Sequence, residues 1–307
     1  MAPIPCRDFH GVFARSGGME IIMSRNNTLD VIKKHNLRLT KSLGQNFLND
    51  DSVVRKIVDA AGLDKDTLVL EIGPGIGSMT KELANRARGV VAIEIDKHLI
   101  PALQDNLREY SNIDIINNDV MKADIDAIIA EYGEKYGTKA VKVVANLPYY
   151  ITTPIIMRFL EEVKGVQGMV FMVQREVAQR MVAGPGTKDY GALSVAVQFY
   201  SSPDIIFDVP PHCFIPQPEV HSTIIRLDIL EEPSVQVKDK NLYFRLVKAS
   251  FGQRRKTLVN GLSNAGFLQK DKEQLKKILE SMGLKENIRG EVLSVQQFGE
   301  LSNLLSV

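Results

Sequence analysis

The chain has 307 residues, 44% hydrophobic and 24% charged, a composition that suits a folded core and excludes a low-complexity or fibrous chain. Its formal net charge of +1 excludes any argument from overall charge for a polyanionic partner, so charge must be read locally. The cysteines, Cys6 and Cys213, do not make a disulfide framework, the histidines show no metal-ligand spacing, and no apolar run is long enough to span a membrane. No metal and no membrane partner are therefore expected, and a reducing cytoplasm is the expected compartment.

Residues 1–22 lack the continuous apolar stretch of a signal peptide and are expected to be a disordered extension. Lys33, Lys34, Arg38 and Lys41 then form a basic stretch ahead of the first strand. From Thr67 the pattern alternates: TLVLEIG reads as a strand, SMTKELANRA as a helix, GVVAIEID as a strand and KHLIPALQDNLREY as a helix. NIDIINNDV, AVKVVANLP and VQGMVFMVQ are further strands, which implies right-handed crossovers and a doubly wound parallel sheet. In TTPIIMRFLEE, Thr153 is placed to cap a helix whose first residue is Pro154. GALSVAVQFYSS and DIIFDVPP read as two more strands, antiparallel at the sheet edge. After STIIRLDILEEP the alternation stops, and KNLYFRLVKASF, KTLVNGLSNAGF, KEQLKKILESMG and SVQQFGELSNLL have helical spacing. Ser294 with Gln297 has the spacing of a capping box. The division expected is an α/β domain over 23–231 and a small all-helical domain over 232–307.

Gly73, Gly75 and Gly77 fall between the first strand and the first helix, where glycine permits a tight turn and close approach of a ligand. Glu94 ends the next strand about twenty residues on, where a carboxylate can accept from both ribose hydroxyls. Asp119, at the end of the third, could take an adenine amine. These features leave a nicotinamide dinucleotide and S-adenosyl-L-methionine both open, although G-P-G-I-G departs from the dinucleotide turn.

NLPYY closes the fourth strand on the same edge. The exocyclic amine of adenine is a poor nucleophile because its lone pair is delocalised into the ring. The side-chain oxygen of Asn146 and the backbone carbonyl of Leu147 are two acceptors that could localise it, Pro148 fixes the turn, and Tyr149 offers a stacking face. The target base would have to leave its stack.

LGQNFL, EIGPGIGSMT, NLPYY, VPPHCFIPQPEVHS and FGQRRKT occur in this order, and the ordered set resembles the small-subunit ribosomal RNA adenine dimethyltransferases, the KsgA-type enzymes, from about Thr40 onward. The resemblance implies a Rossmann-like methyltransferase fold, S-adenosyl-L-methionine as cofactor, and dimethylation of two adjacent adenosines in the hairpin near the 3′ end of small-subunit rRNA. It implies that Asn46 and Leu48 cover the cofactor, that Gly73 lies against its methionine part, and that Glu94 and Asp119 hold ribose and adenine. Asn146 would touch both cofactor and target amine, and Phe214 would be a second aromatic face opposite Tyr149. Arg245, Lys248, Arg254, Arg255 and Lys256 form a basic stretch with no acid inside it, and the resemblance makes its FGQRRKT part, Arg254, Arg255 and Lys256, an expected RNA contact, with Lys41 of the N-terminal basic stretch another. The expected partner is the small ribosomal subunit and its rRNA, met by a monomer. The rival readings are a resistance enzyme that methylates one adenosine of large-subunit rRNA, an assembly factor on a methyltransferase scaffold and, furthest away, a dehydrogenase.

Overall fold

The computed structural model describes residues 26–37, 44–253 and 255–306. The expected extension over 1–22, together with Arg38, Lys41 and Arg254, lies outside the described residues.

In chain order the elements are α1 (Asn26–Lys34), β1 (Phe47–Leu48), α2 (Asp51–Ala60), β2 (Thr67–Ile72), α3 (Ser78–Arg86), β3 (Gly89–Glu94), α4 (Ile100–Leu107) and β4 (Ile113–Asn117). There follow α5 (Ile125–Tyr136), β5 (Ala140–Asn146), α6 (Thr152–Glu161), β6 (Val166–Gln174), α7 (Arg175–Val182), α8 (Ala192–Tyr200), β7 (Ser201–Val209), β8 (Phe214–Ile215) and β9 (Ser222–Ile229). The C-terminal elements are α9 (Lys240–Gly252), α10 (Leu258–Asn264), α11 (Lys272–Ser281) and α12 (Val295–Leu305).

Seven strands form one sheet in the order β4-β3-β2-β5-β6-β9-β7. The first five are mutually parallel, and β9 and β7 close the edge antiparallel. Side chains of a strand alternate between faces, so a sheet covered on both sides needs apolar residues at nearly every position. In β2, Leu68, Leu70 and Ile72 pack toward α6, α7 and α8, while Val69 packs toward α2 and α3. The sheet order reverses between β2 and β5, which opens a crevice at the carboxyl ends of the strands, the usual ligand site of such sheets.

Two sequence expectations are corrected. GALSVAVQFY is not a strand: residues 192–200 form α8. Leu193 and Val197 pack into the sheet's core and Val195 and Phe199 into that of the C-terminal helices, so the helix is apolar on two sides. A helix wedged between two cores loses the polar face that marks its period, and its valines read as a strand. The second correction concerns α6, which begins at Thr152, with Ile151 at the cap position and no capping side chain. The amide of Ile151 donates to the Pro148 carbonyl (3.2 Å) and the Thr152 hydroxyl donates to the same oxygen (3.0 Å), so the chain passes directly from the turn into the helix. Pro154 therefore sits in the first turn, where amide protons have no intrahelical partner in any case. The alternation read from the sequence also omitted α5, capped by Asp124 and ended at Gly137 with φ 63°.

The C-terminal helices pack around Tyr243, Leu246, Leu258, Leu279, Phe298 and Leu301. Three start at an acidic or hydroxyl cap, Asp239, Thr257 and Asp271, and Ser294 with Gln297 makes the expected capping box on α12. Tyr190 is fully buried with this cluster and donates its hydroxyl to the Leu293 carbonyl (2.8 Å).

Candidate active site

The turn from β2 to α3 is built by Gly73 (φ 67°), Gly75 (φ 61°) and Gly77 (φ 88°), all in the left-handed region that disfavours side chains. At Gly75 space is short as well: a Cβ there would lie 2.8 Å from the Phe47 ring. The glycine thus lets β1 lie over the turn. The carboxylate of Glu94 is buried at the end of β3, where Oε2 accepts from the Gly75 amide (3.1 Å) and Oε1 from the Asp96 amide (2.8 Å). Burial pushes its pKa up, the Asp96 and Gly75 amides pull it down, and the Asp96 charge pushes it up again. A carboxylate offers about four acceptor sites, so Glu94 keeps room for a ligand hydroxyl beside the backbone amides that it already accepts from. Asp119 follows β4, with Oδ1 accepting from the Met121 amide (2.9 Å).

Beyond β5, the Leu147 amide donates to the Met172 carbonyl of β6 (3.3 Å), which ties the NLPYY turn to the sheet. The Asn146 Nδ2 donates to the Asn46 carbonyl (3.0 Å), and the Tyr149 hydroxyl shares a hydrogen bond with the fully buried Ser222 (2.8 Å).

Of the expected cofactor and catalytic residues, Asn46, Leu48, Gly73, Gly75, Glu94, Asp119, Asn146, Leu147, Pro148 and Tyr149 all line one cleft. Phe214 does not join them. It pairs with Leu48 across the β1–β8 ladder and is buried against the core face of α2 and α3. Of the expected RNA-contacting residues, Arg255 and Lys256 stand elsewhere, exposed in the turn between α9 and α10; in the same basic stretch, the Arg245 guanidinium lies over the Phe267 ring (4.2 Å). Thr257, the last residue of FGQRRKT, is the cap of α10.

Several residues in or beside the cleft went unread. Ile95 is 52% exposed against the cleft, an apolar surface that suits a flat ring. Asp96 accepts from the Gln45 side chain (2.8 Å), which fastens the segment before β1 to the end of β3. The second acid in EID was the available signal. Glu71 is fully buried in β2, and neither carboxyl oxygen has a hydrogen-bond partner. Burial pushes its pKa to about 8; the Thr80 hydroxyl alongside pulls it down without reaching hydrogen-bond geometry, and the Glu94 charge pushes it further up.

The glycine turn, the carboxylates of Glu94 and Asp119 and the NLPYY turn meet at the switch point of a doubly wound sheet, the place where enzymes of this fold class hold a nucleoside cofactor. The chain matches the model of the family described as ribosomal RNA adenine dimethylase over residues 36–300, and it belongs to that family. It is 51% identical over 288 residues to the ribosomal RNA small subunit methyltransferase A of Alkaliphilus oremlandii, covering 94% of this chain and 99% of the relative. It is 48% identical to the protein of the same name from Clostridioides difficile, covering 94% and 98%. Among solved structures it resembles a dimethyladenosine transferase from Plasmodium falciparum (TM-score 0.69, 24% identity, 83% of this chain and 95% of that one), a likeness of fold. It also resembles the 23S rRNA methyltransferase ErmE (TM-score 0.65, 26% identity, 85% and 100%).

Proposed function

We propose that the chain places two methyl groups on each of two adjacent adenosines in the 3′-terminal hairpin of small-subunit rRNA, during ribosome biogenesis in the cytoplasm. The observation that carries this reading is the convergence of the NLPYY turn and the Glu94–Asp119 edge on one cleft. The two small-subunit relatives near 50% identity favour the small subunit over the large, since the resemblance to ErmE shows that the architecture serves both.

In this reading Glu94 holds the ribose, Asp119 and Ile95 the adenine, the Gly73–Gly75 turn the methionine part, and Asn46 and Leu48 the outer side. Bound there, S-adenosyl-L-methionine supplies a methyl group activated by a positively charged sulfur. The protein supplies position and electrostatics. Asn146 Oδ1 and the Leu147 carbonyl accept hydrogen bonds from the target amine and localise its lone pair. Tyr149, its hydroxyl held by Ser222, presents a ring for the flipped base. Phe214 packs behind β1 and becomes the second face only by rotating out of its packed position. Residues 23–231 form the catalytic unit; residues 232–307 dock on RNA through Arg254, Arg255 and Lys256, and Lys41 adds a further cation to the RNA contact. The chain acts as a monomer on the subunit.

The test uses labelled S-adenosyl-L-methionine with unmethylated small subunits and, separately, naked large-subunit rRNA. Two methyls on each of two neighbouring adenosines of the small subunit is the expected result. Label confined to large-subunit rRNA, or tight subunit binding without label, would overturn it.

A further inference from the structure

The amide of Asn146 does not choose its own orientation. Its Nδ2 donates to the backbone carbonyl of Asn46 (3.0 Å), a residue one hundred positions earlier in the chain. The reversed amide would set two acceptor oxygens against each other, so the carbonyl dictates that Oδ1 is the atom left for the cleft. That carbonyl is itself held from several sides. The Asn46 side chain donates to Gly44 O (3.1 Å), and Gln45 to Asp96 Oδ2 (2.8 Å). Phe47 and Leu48 pair with Ile215 and Phe214, and the Asn49 amide donates to the Cys213 carbonyl (2.8 Å).

We propose that the Asn46 carbonyl is a positioning group that locks the Asn146 carboxamide with its oxygen toward the target amine, and that this contact is what makes the position an asparagine and not an aspartate. The proposal rests on the methyl-transfer reading above. A carboxylate is the stronger acceptor for an amine proton, and by that criterion alone Asp would serve better. Here one carboxylate oxygen would face the Asn46 carbonyl with no proton between them, an unpaired repulsion in a half-buried place. A protonated carboxyl restores the pattern, donating to the carbonyl with one oxygen and accepting with the other.

The experiment is Asn146→Asp beside the wild type, each assayed from about pH 6 to about pH 8.5 for methyl transfer and for affinity toward S-adenosylhomocysteine. The other titratable groups around the cleft, Glu71 on β2, Glu94 on β3, Asp96 and Asp119 beyond the strand ends, and Tyr149 and Tyr150 in the turn, are common to both proteins and cancel in the ratio. The expected ratio of variant to wild-type transfer rises about tenfold per unit fall in pH above the pKa of the new carboxyl, and the affinity ratio rises in the same direction as the covering segment is restored. A ratio that is flat, or that rises with pH, overturns the proposal. Should the wild type transfer no methyl to rRNA, the functional reading falls and the affinity ratio decides the positioning role by itself. If the variant does not fold, hydrogen exchange of the Asn146 side-chain amide in the wild type takes its place: protection supports the contact, and exchange as fast as that of a free amide overturns it.

Discussion

At the scale of single residues, two groups carry opposite demands. In the proposed reaction Asn146 presents an acceptor while the target amine loses its planarity, which puts its value in the transition state. Asn146→Ala removes that acceptor and is expected to lower turnover by about 10²–10³-fold, on the scale of losing one oxyanion-hole donor, while RNA binding stays intact. Single-turnover methyl transfer with a parallel binding assay checks both halves. Glu71 makes the second demand. Its folded pKa of about 8 stands above the ordinary 4.5 because its carboxyl is buried without partners. The folded state therefore holds a proton that the unfolded chain releases. The stability this group contributes is full below pH 4.5, falls as the pH rises toward 8, and is gone above that. Glu71→Gln, which never ionises, should gain melting temperature relative to the wild type as the pH is raised through this window. Thermal unfolding at several pH values measures it, and a constant difference would show that Glu71 does not titrate there. Glycine and acid positions at this scale were open to reading because a backbone turn with positive φ requires glycine and a carboxylate that closes an apolar strand stands out. Glu71 and Ile95 were not, since a buried strand residue and an exposed apolar one acquire meaning only from what surrounds them.

At the scale of elements, α8 joins the two cores. Phe199 is buried among Tyr243, Phe244 and Tyr200, with ring centroids 4.8–5.2 Å away, while Val197 on the same helix faces the sheet. Phe199→Ala should cost about 3–5 kcal/mol, read as a lower urea midpoint with a single transition. Two separate transitions would show that the sheet domain and the C-terminal helices do not share their stability through this helix. The helix was misread as a strand because a segment buried on two sides carries no amphipathic period, whereas α12 announced itself through Ser294 and Gln297, a local pairing that needs no tertiary context.

At the scale of the whole molecule, a net charge of +1 cannot hold a polyanion, and binding must come from placement. Arg255 and Lys256 stand exposed in the turn between α9 and α10, helices whose core meets that of the sheet through α8. Replacing both by Ala should weaken binding to small-subunit RNA and reduce the slope of log affinity against log salt by about 0.7–0.9 for each phosphate that is no longer neutralised. Filter binding at several salt concentrations measures the slope, and an unchanged one would return these residues to a solvated turn. The sequence by itself determined the parallel sheet, the glycine turn and the acids at successive strand ends, because strand period, backbone freedom and charge are local properties written in residue type. Only the tertiary structure decided that the segment around Asn46 lies across the cleft, that its carbonyl orients Asn146, that Phe214 packs behind it and that α8 is a helix. Those outcomes depend on contacts between segments far apart in the chain, and spacing along a sequence does not encode which distant carbonyl an amide will meet.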